Sequence, residues 1–375
     1  VSCDVPAQSP RVVFAGGGTG GHMSPGLAVA RELTGRLNDA EIIFIGTGRP
    51  IEKRMIPSAG FELRVTPAVK LPRKLRQLPL FPFRLWAALR RARALIAGLH
   101  PAIVIGLGGY GSFPSVYAAH KLGIATVLLE QNSVPGRANR RLSRIAREVY
   151  VQFECSRQYL RHPDRVHVLG NPLRDGITGK NREEALRGFS LATNLKTLAV
   201  LGGSQGARQI NRAVCDALPM LAKSGDVQII HQTGSADLEW VRDRHDASDI
   251  RSCVAAFIDD MPGVLAAADL ILGRAGATTL AEIAAVGLPS VLVPYPAASD
   301  DHQTLNARAF VDAGAAVLVR DAELNGITVT TFVTELMGDG ARRSAMADAA
   351  LTLARPDATR DVCDRIVKLM EQRET

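Results

Sequence analysis

Three things are scarce in this 375-residue chain: paired cysteines, long apolar runs and, over one sector, negative charge. The five cysteines (Cys3, Cys155, Cys215, Cys253, Cys363) are scattered and never form a Cys-x-x-Cys pair. That argues against a disulfide framework and a structural zinc site, and it fits a reducing cytosol. No stretch of about 20 apolar residues occurs, so no spanning helix is expected. The first ten residues are polar and contain proline, and no secretory signal is expected in them. There is no Asp-x-Asp pair to hold a divalent ion, so neither a metal nor another cofactor is expected. No aromatic and basic module of the RRM kind is present, and no nucleic-acid partner is expected. The formal net charge of +8 still permits anionic partners.

What is present is alternation. With 46% apolar residues, the length implies two or three domains. Strand signals fall at 11–15, 42–46, 102–106, 125–129 and 149–152, with helical patterns between them. The second half starts over at 197–201 and continues at 227–231, 253–257, 269–272, 290–293 and 316–319. The pattern predicts parallel α/β structure in two Rossmann-like domains that face one another across a cleft. Gly170-Asn171-Pro172-Leu173-Arg174 is the natural linker. The expected domains are 1–170 together with a returning last helix, 357–375, and 171–356.

Each half opens with a strand that runs into glycines. In the first, Val12-Val13-Phe14-Ala15 leads into Gly16-Gly17-Gly18-Thr19-Gly20-Gly21-His22. Glycines before a helix let backbone approach an anion, and the helix dipole adds positive charge. The helix is predicted after Pro25, from the spacing of Leu27, Val29, Ala30 and Leu33, with His22 in the loop. The spacing Gly16-x-Gly18-x-x-Gly21 also fits a dinucleotide fingerprint, but that site needs an acid at the end of the second strand. Here that strand ends in Gly46-Thr47-Gly48-Arg49. A tight turn with no ligand would explain two or three of the glycines, but explains poorly all five together with Thr19 and His22.

The sharpest cluster of the second half is Gly273-Arg274-Ala275-Gly276-Ala277-Thr278-Thr279-Leu280-Ala281-Glu282, after the strand Leu270-Ile271-Leu272. It predicts a helix over 280–286 whose preceding N–H groups at 277–279 can bind a diphosphate. Glu282, read as lying on its first turn, can accept from ribose hydroxyls. Alternatively, Thr279-x-x-Glu282 is a capping box that needs no ligand. Ser204, in Gly202-Gly203-Ser204-Gln205-Gly206, is a second phosphate-loop candidate, or else a turn serine. Asp300-Asp301-His302-Gln303-x-x-Asn306 can select sugar hydroxyls, or else is a helix cap followed by surface residues. Glu130-Gln131-Asn132 follows the buried strand Thr126-Val127-Leu128-Leu129, where open α/β sheets gather ligands. The sequence offers no metal, so a leaving diphosphate needs helix dipoles and arginine.

Charge is uneven. Between Glu62 and Glu130 no Asp or Glu occurs. Inside that gap Arg73, Lys74 and Arg76 interleave with Leu75, Leu78, Leu80, Phe81, Phe83 and Trp86 before a helix that carries Arg90, Arg91 and Arg93. Such a stretch suits an anionic bilayer surface, where apolar groups enter the interface and cations meet head groups. A solvated helix with its apolar stripe in the core is the plainer alternative, and Leu85, Leu89 and Leu95 are expected to face that core.

Taken together, GGGTGGH (16–22), GLGGYGSFP (106–114), EQN (130–132), GNPLR (170–174), GGSQGAR with Asn211 (202–211), HQTG (231–234), FIDDM (257–261), GRAGATTLAEIAAVGLP (273–289) and DHQTLNA (301–307) resemble a family of peptidoglycan glycosyltransferases, family 28, of GT-B fold. The resemblance implies an inverting transfer of GlcNAc from UDP-GlcNAc to the C4 hydroxyl of MurNAc in lipid I (undecaprenyl-diphospho-MurNAc-pentapeptide), giving lipid II at the cytoplasmic face of the membrane. It implies that the second domain holds UDP. Ile258 would meet uracil through its backbone, Glu282 the ribose, and Ser204 with Ala277, Thr278, Thr279 and Leu280 the phosphates. Gln303 would orient the sugar, with Asn132, Arg174, Thr19, Gly20 and Gly21 closing on the donor. Gly17, Gly18, Gly108, Gly109 and Tyr110 would face the acceptor diphosphate. Two positions depart from the family's pattern: Leu129 stands where a histidine is common, and His302 where a glutamine is. Of the two candidates for general base, His22, whose unperturbed pKa is near 6.5, is favoured over Glu130, which is given a hydrogen-bonding role. A lipid glycosyltransferase of another kind, a UDP-GlcNAc 2-epimerase, an NAD-dependent oxidoreductase and a membrane adaptor are the rival readings.

Overall fold

The structure is a computed structural model that describes residues 9–37, 39–67 and 80–372. Arg73, Lys74, Leu75, Arg76 and Leu78, expected to meet a membrane, lie outside the described residues. The chain divides into two compact units, 1–174 with 357–375, and 175–356.

The first unit is built on seven strands: β1 (Arg11–Ala15), β2 (Glu41–Gly46), β3 (Glu62–Val65), β4 (Ile103–Gly106), β5 (Ala125–Glu130), β6 (Glu148–Val151) and β7 (Val166–Val168). All pair in parallel, in the order β3-β2-β1-β4-β5-β6-β7. Both faces are covered by helices, so the central strands are continuous apolar runs. Val12, Val13, Phe14 and Ala15 have no exposed surface. On one face Val12, Phe14, Phe44 and Ile105 pack with Met23, Leu27, Val362, Cys363 and Ile366. On the other, Val13, Ile43 and Val104 pack with Ile96 and Val116. The last helix, Ala358–Glu371, therefore joins the first core although it comes at the end of the chain. Arg365 fixes it with a two-pronged ion pair to Glu148 at 2.7 Å.

The second unit repeats the plan with β8 (Lys196–Leu201), β9 (Val227–Gln232), β10 (Ser252–Ala255), β11 (Leu270–Gly273), β12 (Ser290–Leu292) and β13 (Ala316–Leu318), ordered β10-β9-β8-β11-β12-β13 and again all parallel. Both sheets are doubly wound. The strand order reverses between β1 and β4 in one, and between β8 and β11 in the other. That is where such sheets open a crevice at their carboxyl ends. The glycine loops after β1, β4, β8 and β11 all stand at these two points.

Two strands, β3 and β7, were not expected. Both are edges. Glu62-Leu63-Arg64-Val65 is half polar and partly exposed, and Val166-His167-Val168 is only three residues long. Edge strands are short and charged because an open edge invites pairing, and this erases the apolar run by which a strand is read.

The helix Phe81–Leu99 buries Ala88, Ala92, Ile96 and Leu99. Leu85, Leu89 and Leu95, expected in the core, are half-buried. Leu80, Phe83 and Trp86 are 55%, 72% and 58% exposed, whereas Phe81 is turned partly inward. The Arg90 guanidinium lies over the Trp86 ring, 4.8 Å from its centroid.

Candidate active site

In the first unit the helix after β1 starts at Gly20, not after Pro25. Thr19, with extended backbone (φ −142°, ψ 154°), is its N-cap. Glycines and a histidine are tolerated there because the first turn's N–H groups need no partner within the helix. His22 is thus a helical residue, one turn from the cap. Its Nδ1 lies 2.8 Å from Thr19 Oγ1. When Nδ1–H donates to that oxygen, Nε2 carries the lone pair and can take a proton. The ring faces the β4 loop: a Cβ on Gly108 would sit 3.4 Å from His22 Nε2 and 3.5 Å from Asn139 Nδ2.

Asn139 leads to Glu130, which ends β5. Glu130 is 4% exposed. Its Oε1 accepts from the Asn132 N–H (3.0 Å) and Asn132 Nδ2 (3.4 Å), and its Oε2 from the Gly136 N–H (3.0 Å) and Asn139 Nδ2 (2.9 Å). Burial pushes this carboxyl above the usual carboxylate range, and the four donors pull against that shift. With both oxygens engaged by its own loop, Glu130 shapes residues 130–139 and presents little of itself to an acceptor.

Part of the glycine run answers to packing. Behind Gly17 stands Glu52, which has no exposed surface. It accepts from the Thr47 N–H (2.8 Å), Thr47 Oγ1 (3.0 Å) and the Arg49 N–H (3.0 Å). A Cβ on Gly17 would lie 2.9 Å from Glu52 Oε1, and φ there is +137°, so only glycine fits. Arg49 Nη1 donates to the Gly18 carbonyl at 2.8 Å. Neither Arg49 nor Glu52 was singled out in the sequence. The available signal was an acid three residues into a helix, a pattern that ordinarily marks a cap.

In the second unit the loop after β11 feeds a helix that starts at Ala277, with Gly276 as N-cap. Thr279 is therefore the third helical residue, and the capping box with Glu282 does not form. Glu282 falls on the second turn and is buried. Ala277, Thr278, Thr279 and Leu280 occupy the positive end of the helix dipole. The adjacent loop, after β8, puts Ser204 in an exposed turn. The helix that follows is capped by Ala207, so Ser204 is not its N-cap.

Ile258 is buried, and its N–H already donates to Gln232 Oε1 at 2.9 Å. A backbone contact to a base therefore falls to its carbonyl. Gln303 Oε1 accepts from the Tyr295 N–H (2.9 Å), which leaves the amide's NH₂ end to donate. Asn306, read with the sugar-selecting cluster or else as a surface residue, is fully buried and donates to the Ala275 carbonyl at 3.2 Å, so the helix His302–Asp312 braces the 273–276 loop. Arg274 donates to the carbonyls of Val293 and Pro294 (3.1 Å each) and pairs with Asp321. Its charge ties strand ends together.

Two doubly wound sheets in one chain, each with glycine loops at its switch point, define the GT-B class. The comparisons narrow the class to a family. Residues 12–151 match the glycosyltransferase family 28 N-terminal domain, and residues 197–362 match the glycosyltransferase family 28 C-terminal domain. The chain is 41% identical, over 96% of its length and 94% of the relative's, to the UDP-N-acetylglucosamine–N-acetylmuramyl-(pentapeptide) pyrophosphoryl-undecaprenol N-acetylglucosamine transferase of Myxococcus xanthus strain DK1622. Its fold superposes on the crystal structure of Acinetobacter baumannii MurG with a TM-score of 0.75 at 29% identity, covering 96% of this chain and 99% of that one. A UDP-GlcNAc 2-epimerase from Neisseria meningitidis shares the fold alone, with a TM-score of 0.67 at 15% identity, covering 96% of this chain and all of that one (100%). The chain belongs to glycosyltransferase family 28 and is a glycosyltransferase.

Proposed function

We propose that the chain transfers GlcNAc from UDP-GlcNAc to the C4 hydroxyl of MurNAc in lipid I, giving lipid II with inversion at the anomeric carbon. The observation that carries this reading is the 41% identity, over nearly the full length, to a relative named for that transfer. In the reaction, the acceptor O4–H gives its proton to His22 Nε2 as O4 attacks C1 of the sugar. The C1–O bond breaks, and its electron pair leaves on the β-phosphate of UDP. Thr19 holds the His22 tautomer, and Glu130 shapes the Asn132 loop.

The donor belongs to the second unit. The first turn of the helix Ala277–Val286 and the Ser204 turn take the diphosphate, Glu282 the ribose, the Ile258 carbonyl the uracil and Gln303 the sugar. Asn132, Arg174, Thr19, Gly20 and Gly21 complete the donor contacts. Gly17, Gly18, Gly108, Gly109 and Tyr110 take the acceptor diphosphate. The test is UDP release from UDP-GlcNAc with and without a lipid I analogue. Acceptor-dependent release is the expected result. Release without acceptor points to epimerase or hydrolase chemistry and overturns the reading.

A lipid-linked acceptor also gives a role to the exposed Leu80, Phe83 and Trp86. Among the described residues no helix is long and apolar enough to cross a membrane, and these side chains beside Arg84 and Arg90 suit peripheral contact with an anionic bilayer. Fully burying one large apolar side chain is worth ~1.5–3 kcal/mol. The double substitution Phe83→Ser/Trp86→Ser is therefore expected to weaken binding to vesicles containing anionic lipid by about tenfold or more, while leaving UDP binding unchanged. Equal vesicle binding in co-sedimentation would remove the membrane role from this face.

A further inference from the structure

Strand β9 ends in His231-Gln232 and leads into Thr233-Gly234, a stretch to which the proposed reaction gives no part. Gln232 is 3% exposed. Its Nε2 donates to the Gly203 carbonyl at 3.1 Å, and its Oε1 accepts from the Ile258 N–H at 2.9 Å. Gly203 precedes Ser204 in the loop after β8, and Ile258 follows β10. Those strands flank β9 on either side. A single buried amide therefore fixes two loops, one assigned to the diphosphate and one to the base.

The neighbouring residues close the arrangement. A Cβ on Gly206 would lie 2.0 Å from the Thr233 carbonyl oxygen, so the phosphate loop rests directly on Thr233. That carbonyl accepts from Asn211 Nδ2 at 2.9 Å, which also donates to Asp237 Oδ2 at 3.0 Å. Both bonds orient Asn211 so that its Oδ1 faces His231 Nε2 at 3.1 Å. The loop's support is hydrogen-bonded down to the strand, and Gln232 is the member that reaches both sides.

We propose that Gln232 is a positioning residue that couples the diphosphate and uracil subsites, so that UDP binds as one ligand rather than as two weakly held halves. The proposal rests on the donor reading above. Its test is calorimetric binding of UDP and of uridine to the wild-type chain and to two variants. Gln232→Glu keeps an acceptor for the Ile258 N–H but sets a carboxylate against the Gly203 carbonyl. UDP affinity is expected to fall about tenfold, the loss of one hydrogen bond of ~1.4 kcal/mol, with uridine affinity within about twofold of wild type. Gln232→Leu removes both bonds and weakens both ligands. The KM for a lipid I analogue stays unchanged in each. If Gln232→Glu weakens UDP and uridine by the same factor, the residue is merely structural and the proposal fails. It also fails if UDP binds both variants as it binds wild type. The near-isosteric Glu variant decides the matter should the Leu variant not fold. A wild-type chain that does not bind UDP overturns the donor assignment itself, and this inference with it.

Discussion

His22→Ala lowers kcat by about 10²–10³, with the KM for UDP-GlcNAc within about twofold of wild type. The expectation follows from where the ring sits. Its Nδ1 is held by Thr19 Oγ1 at 2.8 Å, and its Nε2 looks across Gly108 toward Asn139. A histidine whose Nδ1 is held in this way is oriented for proton transfer at Nε2, the role a general base plays. The competing role, a polar cap on the helix, predicts a different outcome. A capping role would show as lost thermal stability with kcat intact. Steady-state kinetics with a lipid I analogue, alongside melting temperatures, separates the two. A kcat within threefold of wild type removes His22 from the chemistry. Glu130 supplies the contrast. Its four donors belong to its own loop, so Glu130→Ala lowers stability and activity together.

How much of this the sequence displayed depended on where the relevant partners lie. The central strands were legible because a sheet covered on both faces needs unbroken apolar runs, as in Val12-Val13-Phe14-Ala15. The edges β3 and β7 were not, because Glu62-Leu63-Arg64-Val65 is half polar and Val166-His167-Val168 is only three residues long, so neither carries that run. The glycine loops were visible as loops, but their reasons were not. Gly17 is glycine because Glu52 presses on it, and Glu52 comes after the second strand with no local pattern linking the two. At Gly17 the glycine therefore has a packing reason beside any role toward a phosphate. Helix starts were misplaced at Gly20 and Ala277 for a common reason. Glycine reads as a breaker, yet a first helical turn tolerates it and an N-cap welcomes it. The hydrogen-bonding roles of Gln232, Asn139 and Asp237 were invisible for a different cause. Their hydrogen bonds join residues well apart in the chain, such as Gln232 to Gly203 and to Ile258, and such pairings exist only once the sheet order is known.

The second unit loses about 4 kcal/mol of stability between pH 7.5 and pH 5 through two histidines alone. His231 and His245 are both buried, with His231 Nδ1 3.1 Å from His245 Nε2. Asn211 offers its Oδ1 to His231 Nε2, so His231 carries its proton there and its Nδ1 accepts from His245 Nε2–H. Each ring is neutral, with its proton on Nε2. Burial, reinforced by the neighbouring His245, drives His231 down to about 3, and burial drives His245 down to about 4 against the pull of Asp246. Both folded values lie below the unfolded value of about 6.5, so on acidification the unfolded chain takes up protons that the folded chain refuses. Stability therefore rises with pH through this window and is lost as pH falls below about 6.5, at ~1.4 kcal/mol per pH unit for each ring. Urea unfolding at pH 7.5 and pH 5, in wild type and in His231→Gln/His245→Gln, isolates the effect. The wild type should lose about 4 kcal/mol more than the variant over that interval, and an equal loss in both would refute the assignment. The sign is secured by the end of the chain of bonds. His245 Nδ1, the nitrogen that a proton must find, is buried and has no hydrogen-bond partner among the described residues. A proton arriving there meets the desolvation penalty without a new acceptor, so acid opens this unit before it charges it.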